Sequence, residues 1–239
     1  MKYILFIALF ISIYYSAVSL EFKSLEEKVN YYKDKFKVNC LDEKITDNKG
    51  NGFDDLYGTR NMRTVLYGIA YRGGANNFYH ISDKRENQNP LPADGLQNLC
   101  NLGFSEAIYL YSKNYKESQK EFVSKKNKLI YEQNSLNNKE EVKKFLLQIK
   151  SVIDNPNEGP IYFHCWNGWH QAGFAGATIL MQFCDYSSSD AYQYWVKNTD
   201  GAFRGYDNVK NAVKLFVPFD DIKIDKKTKE LICPCMNSK

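Results

Sequence analysis

The chain has 239 residues, of which 44% are hydrophobic and 15% aromatic, and it carries a formal net charge of +4. This length and apolar fraction suit one domain of ordinary size with its own core. The charge is small, and the basic cluster Lys125-Lys126-Asn127-Lys128 fits a solvated turn. Nucleic-acid binding is therefore not indicated, because a binding face needs a denser basic patch.

The N-terminus has the pattern of a targeting segment. Met1-Lys2 precedes an almost continuously apolar run from Tyr3 to Tyr15, and small residues follow to Ser19. We predict a secretory signal peptide over 1–19, and hence export to the outside, a periplasm or a secretory-pathway lumen. An apolar core of about 13 residues is short for a membrane span of about 20. No stable membrane span is expected after cleavage, and an uncleaved membrane anchor is the alternative.

Beyond this segment we predict an N-terminal extension over 20–59, a main domain over 60–218 and a C-terminal tail over 219–239. Apolar runs and helical periodicity predict alternating strands and helices in the main domain. The predicted strands, in chain order, are Val65 to Tyr71, Ala107 to Tyr111, Lys128 to Tyr131 and Ile161 to Phe163. The predicted helices are a short one near Leu25, then Pro90 to Leu102, Lys116 to Lys126, one after Asn138, Phe174 to Phe183, Tyr192 to Lys197 and Val209 to Phe216.

This alternation predicts an α/β fold with a central, mostly parallel sheet of about four or five strands and helices on both faces. Ligands of such sheets bind outside the carboxyl ends of the strands. Arg72 and Cys165 both follow predicted strands, so both are expected at this edge.

The segment that carries most chemical information runs from His164 through Cys165 to Gly173. It follows a β-prone run, contains Gly168 and leads into a helix. Successive backbone N–H groups of such a turn point inward, and the helix dipole adds partial positive charge. Both effects favour a bound oxyanion and the thiolate form of Cys165. We interpret the loop as a nucleophilic cysteine within an anion-binding cradle.

The chain has six cysteines, and an exported protein can form disulfides whose pairing the sequence does not reveal. Cys165 and Cys184 should lie at opposite ends of one helix, too far apart to bridge. Cys233-Pro234-Cys235 holds either disulfide partners or free thiols. It has no matching second half of a zinc site, so we predict no metal and no cofactor.

The His164-Cys165 loop resembles the signature of cysteine-dependent tyrosine and dual-specificity phosphatases, in which His-Cys is followed by five residues and an arginine. The order of elements around Leu66 to Arg72 and Leu91 to Leu110 is similar as well. The resemblance covers about residues 60–218. It implies hydrolysis of a phosphoester through a phosphocysteine on Cys165. It also implies that His164 holds the loop and that a phosphate is bound by these residues: Trp166, Asn167, Gly168, Trp169, Gln171, Ala172 and Gly173.

Three roles depart from this pattern. The signature arginine falls on Gln171, the hydroxyl that assists the thiolate falls on Ala172, and the general acid falls near Asn134, with Glu132 the nearest carboxylate. Losing one preorganised donor typically costs about 3–4 kcal/mol in the transition state.

Two side chains are candidates for the missing positive charge. His170 could supply it as an imidazolium, or could instead bond to a backbone carbonyl. Arg72 could point into the same crevice, or could form a structural ion pair. Trp166 and Trp169 either line a flat pocket or pack the loop.

We therefore predict a divergent exported phosphatase acting on a phosphorylated small molecule or phosphoprotein. Cys165 and His170 are its catalytic candidates, and Arg72, His164 and Glu132 are possible auxiliary residues. The alternative is a catalytically inactive pseudophosphatase that binds phosphate or a related anion. Different cysteine chemistry, such as acyl transfer or thiol redox, is a third reading.

Overall fold

The computed structural model describes residues 20–53, 56–76, 90–125 and 127–235. The predicted signal peptide over 1–19 lies outside the described residues. Within these four ranges, no helix combines the length and the apolar character needed to cross a bilayer.

The fold is an α/β arrangement of six strands and seven α-helices within the described residues. The strands are β1 (Thr59–Leu66), β2 (Ala70–Ala75), β3 (Glu106–Tyr109), β4 (Glu121–Val123), β5 (Lys128–Gln133) and β6 (Ile161–Cys165). The helices are α1 (Leu25–Phe36), α2 (Ala93–Asn101), α3 (Lys139–Asp154), α4 (Gln171–Phe183), α5 (Ser188–Lys197), α6 (Asp207–Leu215) and α7 (Lys226–Ile232).

The strand order is β1-β2-β6-β3-β5-β4. The four central strands run parallel to one another, and the edge strands β1 and β4 pair antiparallel with their neighbours. The predicted α/β class with a mostly parallel sheet is confirmed, whereas the predicted four or five strands are corrected to six. β6 lies between β2 and β3, so Cys165 stands at the carboxyl end of a central strand.

The sequence prediction gave too few strands because it missed the two edge strands, β1 and β4. The predicted strand from Val65 to Tyr71 straddles a hairpin turn, because Gly68 has a φ of +68° and β1 and β2 lie on either side of it. The segment from Lys116 to Lys126 was predicted to be helical, but the described residues there form a 3-10 helix at Tyr115–Glu117 and then β4. An edge strand of only three residues has too short a pattern to reveal its period.

The sheet has a hydrophobic core on each face. The alternation of β6 shows the division, since Ile161, Phe163 and Cys165 face one core and Tyr162 faces the other. The first core contains α4 and the buried face of α3, and the second contains the buried face of α2. Helices therefore cover both faces of the sheet.

Both ends of the described chain pack against these cores. Val29 of α1 belongs to the first core, and Tyr32 and Phe36 of the same helix belong to the second. Ile232 of α7 is fully buried in the first core. The disulfide Cys184–Cys233 joins the end of α4 to the segment after α7. Cys165 keeps its thiol.

A pair of carboxyl groups lies where α3 covers the sheet. Gln148 of α3 donates from Nε2 to Oε1 of Glu106, at 2.7 Å, and also to Oε1 of Glu132. Burial and then the hydrogen bond and charge of Glu132 raise the pKa of Glu106 to about 9. At Glu132 burial acts in the same direction, but hydrogen bonds from Glu106 and Gln148 outweigh it and lower the pKa. The pair therefore shares one proton at neutral pH.

This shared proton makes stability depend on pH. Between the ordinary pKa of 4.5 and about 9, the folded chain keeps a proton on Glu106 that the unfolded chain has lost. The contribution of Glu106 to stability therefore falls as pH rises through this window. Glu106→Gln mimics the protonated acid, so its free energy of unfolding relative to the parent should increase by roughly 1–3 kcal/mol from pH 5 to 9. Urea unfolding at several pH values measures this difference.

The matched control is Glu117→Gln, in which the replaced carboxylate is exposed. A difference between Glu106→Gln and the parent that stays flat from pH 5 to 9 would show that the pair does not hold a proton.

Candidate functional site

Cys165 ends β6 and is only 3% exposed. In the sheet it pairs with Gly74 of β2, and the preceding residue, His164, pairs with Tyr109 of β3. Residues 166–170 form a loop, and α4 begins at Gln171. The structure thus has the strand, turn and helix N-terminus that the sequence predicts around Cys165.

All five carbonyl groups of the loop accept hydrogen bonds. Three of the bonds come from β1 and β2. The backbone N–H of Ala75 donates to Trp166 O at 2.9 Å, Asn61 Nδ2 donates to Asn167 O at 2.9 Å, and Arg72 Nη2 donates to Gly168 O at 2.5 Å.

The last two carbonyls are held by helices. Trp169 O accepts from the backbone N–H of Gly173 at 3.1 Å. His170 O accepts from the N–H of Phe174 and from Trp195 Nε1, at 2.9 and 3.1 Å.

These bonds fix the direction of the loop N–H groups. A carbonyl and the N–H of the next residue belong to one planar peptide and point in opposite directions. Because the carbonyls of 166–170 point to the scaffold, the N–H groups of 167–171 point away from it. Within the described part of the chain these N–H groups have no hydrogen-bond acceptor. Several inward N–H groups at a helix N-terminus make an anion-binding cradle.

Glycines allow the loop to lie directly on β2. A Cβ atom on Gly74 would come within 2.5 Å of Trp166 O, and one on Gly168 within 2.6 Å of the Gly73 carbonyl carbon. Gly168 also has a φ of +78°, which disfavours other residues. On the opposite side, a Cβ on Gly173 would lie 2.7 Å from Trp195 Cδ1. Glycine at 173 therefore lets α4 begin against α5.

Arg72 lies beneath the loop rather than in the crevice. It is 0% exposed, and its guanidinium donates to Gly168 O, Asn198 O and Tyr194 Oη. None of these groups is a carboxylate, and among the described residues Arg72 has no ion pair. The sequence left two alternatives for Arg72, a side chain that points into the crevice or a structural ion pair. The observed position of Arg72 fits neither alternative. Arg72 instead holds the carbonyl side of the cradle.

His164 is a buried, neutral support of the strand end. Its Nδ1–H donates to Cys165 O at 3.1 Å, and Tyr131 Oη donates to its Nε2 at 2.9 Å. The ring stacks on Tyr109, with centroids 5.1 Å apart. Burial lowers the pKa of His164 to about 3. These contacts tie the end of β6 to β3 and β5, and the loop-holding role that the family resemblance implies stays a prediction.

His170 and Gln171 are both tied to carbonyl groups. His170 Nε2 donates to Ala202 O at 2.6 Å, and its ring stacks on Tyr206. Burial lowers the pKa of His170, and the charge of Arg72 lowers it further. The ring is therefore neutral at pH 7, and of the two interpretations from sequence its position fits the bond to a backbone carbonyl. Gln171 Nε2 donates to Ser135 O at 2.9 Å.

The structure does not bring Glu132 to the cradle. Its carboxylate belongs to the pair with Glu106, and Glu132 lies beside Ile108 in the sheet, short of the strand ends. Asn134, at the position of the family's general acid, has an amide that donates to Glu141 O. Ala172 is buried and offers no hydroxyl.

The two loop tryptophans differ in their surroundings. Trp169 Nε1 donates to the carboxylate of Asp200, which also binds Lys44 and Arg63. Trp169 therefore fastens the loop to its neighbours, whereas the side chain of Trp166 is exposed.

Tyr111 and Tyr206 were not found by sequence reasoning. Burial raises the pKa of Tyr111 to about 12, and the charges of Cys165 and Tyr206 act in the same direction. Both rings are partly exposed. Tyr111 follows β3 at the carboxyl end of the sheet, and only that position signals a role.

A polar cavity of about 400 Å³ adjoins the cradle on the side of β5. Ser135 lines this cavity and accepts the bond from Gln171. The other lining residues carry hydroxyl, amide or charged groups: Ser112, Gln133, Asn134, Asn137, Glu141 and Lys144. A larger cavity of about 820 Å³ lies between α3 and the segment after α6, away from Cys165.

No known protein-family model matches the chain, and a search of curated proteins finds no match. The resemblance to cysteine-dependent phosphatases therefore rests on the loop residues and on the order of the elements around them.

The surroundings of His164 predict that it stays neutral in mild acid. Its imidazole C–H chemical shift should not change between pH 8 and about 4.5, because its pKa of about 3 is far below the ordinary 6.5. NMR titration measures the shift, and the spectrum of His164→Gln assigns the signal. A midpoint near 6.5 would contradict the buried neutral state.

Proposed function

We propose that the Cys165 loop binds the phosphate group of a phosphorylated small molecule or phosphoprotein. Binding, rather than rapid turnover, is the function that this geometry supports best. The observation that supports the proposal is that the carbonyls of 166–170 are bonded to the scaffold, which turns the N–H groups of 167–171 away from it in the loop that follows Cys165.

The charge behind the loop supports an anionic ligand. Arg72 is a fully buried cation that donates to neutral groups. Arg63, also buried, has its pKa lowered to about 10 by burial and by Arg72, against the attraction of Asp200. Of these two guanidinium groups, only that of Arg63 has a carboxylate partner among the described residues, Asp200 at 3.1 Å. A buried charge without a counter-charge is unfavourable, and an anion in the cradle would offset it across one layer of peptides.

The same site lacks much of what rapid hydrolysis needs. The Gln171 amide is engaged by Ser135 O and carries no charge, whereas an arginine would give a charged, bidentate contact to phosphate oxygens. His170 is neutral at pH 7 and bonded to Ala202 O. Loss of a general acid typically slows a reaction by about 10²–10⁴-fold. We therefore propose slow turnover at most.

Phosphoester hydrolysis through Cys165 is the second candidate, and the position of Tyr111 favours it. The sulfur would attack phosphorus, forming an S–P bond as the P–O bond to the leaving group breaks. The Tyr111 phenol is protonated at neutral pH and could give its proton to the leaving oxygen. Water would then cleave the S–P bond and release phosphate.

The polar cavity favours a ligand whose part outside the phosphate group forms hydrogen bonds. A ligand with its phosphate at Cys165 would meet hydroxyl and amide groups beyond Gln171, along with Lys144 and Glu141. Export to an extracellular or luminal compartment, predicted from the first 19 residues, remains part of the proposal.

The cradle predicts that one added methyl group abolishes anion binding. Gly168→Ala should remove binding of inorganic phosphate or orthovanadate, because its Cβ would meet the Gly73 carbonyl carbon at 2.6 Å and push the loop off β2. Isothermal titration calorimetry measures the affinity, which should fall at least about tenfold, or about 1.4 kcal/mol.

The matched control for this change is Gly205→Ala. Gly205 has the same φ of +78°, but nothing lies within 4 Å of its added Cβ. It therefore reproduces the backbone strain without moving the loop, and binding should persist. Equal affinity in Gly168→Ala and the parent would reject the cradle.

Gln171→Arg should separate binding from turnover. A guanidinium at the helix start supplies the charged donors that the transition state lacks, so hydrolysis of a phosphoester panel under reducing conditions should rise at least about 10²-fold. The gain should vanish when Cys165→Ser is added. If the parent already turns over rapidly and depends on Cys165, the binding proposal is wrong and the phosphatase reading holds.

A further inference from the structure

Two cysteines that the proposed site does not use meet at the far ends of the described chain. Cys40 lies shortly after α1, and Cys235 lies after α7. Their backbones form an isolated parallel β-bridge in which the two residues are direct partners. The N–H of Leu41 donates to Cys235 O at 3.4 Å.

The hairpin turn between β1 and β2 holds both segments. The backbone N–H of Tyr67 donates to Ile232 O at 2.8 Å, and its hydroxyl donates to Asn39 O. The contacts lie next to Cys40 on one side and three residues before Cys235 on the other. The two segments are therefore fixed relative to one another by a third element.

The spacing suits a covalent bond. Bridge partners in neighbouring strands have Cα atoms about 4.8 Å apart, within the range of about 4.4–6.8 Å that disulfides span. Cys235 is exposed and Cys40 is partly exposed, so a small oxidant can reach them. Burial, Glu43 and then the nearby Cys235 raise the pKa of Cys40, which is consistent with two adjacent sulfurs.

We propose that Cys40 and Cys235 form a second disulfide, beside Cys184–Cys233, when the protein meets a small-molecule disulfide. The exposed Cys235 thiolate attacks one sulfur of the reagent and releases a small thiol. The Cys40 thiolate then attacks Cys235 Sγ and releases the second. Two electrons and two protons pass from the protein to the reagent. The product ties the N-terminal extension to the tail.

Peptide mapping tests this pairing. The protein is incubated with oxidised glutathione, alkylated and digested with trypsin without reduction. Because trypsin cannot cut between Cys233 and Cys235, the parent should yield one species that joins peptide 230–239 to two others. Cys233→Ser resolves the ambiguity, since its peptide 230–239 should then be joined to peptide 38–44 alone.

Thiol counting and thermal unfolding give independent readouts. After oxidation and denaturation, neither Cys40 nor Cys235 should be alkylated, whereas both should be alkylated in the protein that has not been oxidised. Oxidation should raise the unfolding midpoint by roughly 5–10 °C in the parent and in Cys100→Ser, but not in Cys40→Ser.

Alkylation of both Cys40 and Cys235 after complete oxidation would overturn the proposal, as would a Cys233–Cys235 or Cys184–Cys235 link. The outcome is independent of phosphate binding at Cys165.

Discussion

The orientation of five consecutive peptides decides what the Cys165 loop can do. Each carbonyl from Trp166 to His170 accepts a hydrogen bond from the scaffold, so the opposite edge of every peptide is turned inward. The donors come from β1, β2, α4 and α5 and converge on one short segment. A loop fixed in this way is preorganised, and an anion that binds it does not have to order it first.

Arg72 links this arrangement to electrostatics. It holds Gly168 O and Asn198 O, and thereby joins the cradle to the segment after α5. Its position also explains why the site can carry Gln171 without losing all positive potential. Under the proposed function, this charge acts on the bound anion through the polarised peptides of the loop, without direct contact. A charge in this position attracts a bound anion and a transition state about equally. A guanidinium in direct contact can form hydrogen bonds that are stronger in the transition state.

The sequence was sufficient for the parts of the fold with strong local patterns. Helix α3 follows an Asn138 cap and has apolar residues at helical spacing, and β6 is a continuous apolar run before the loop. The strand, turn and helix around Cys165 could be predicted for the same reason. The short edge strand β4 could not, since Glu121–Val123 has only one buried side chain to indicate a period. The antiparallel β1 was missed because its residues are buried on both faces and do not alternate.

The site itself was less predictable than the fold. The sequence predicted that Arg72, His170 and Gln171 lie near Cys165. It could not show that each of these side chains donates a hydrogen bond to a backbone carbonyl. These bonds depend on elements distant in sequence, such as Ser135 and Ala202. Tyr111 and Tyr206 belong to no motif, and only the three-dimensional structure shows Tyr206 stacked on His170 and Tyr111 just after the end of β3.

The contact between Gly168 and the Gly73-Gly74 pair has a consequence for how such a site can change over time. Because main chain meets main chain there, this contact does not depend on the identity of the loop side chains. Under the proposed function, substitutions of those side chains would alter ligand preference while the contact itself persists. A side chain at Gly74 or Gly168 would instead separate the loop from β2, and under the proposed function it would remove binding in one step.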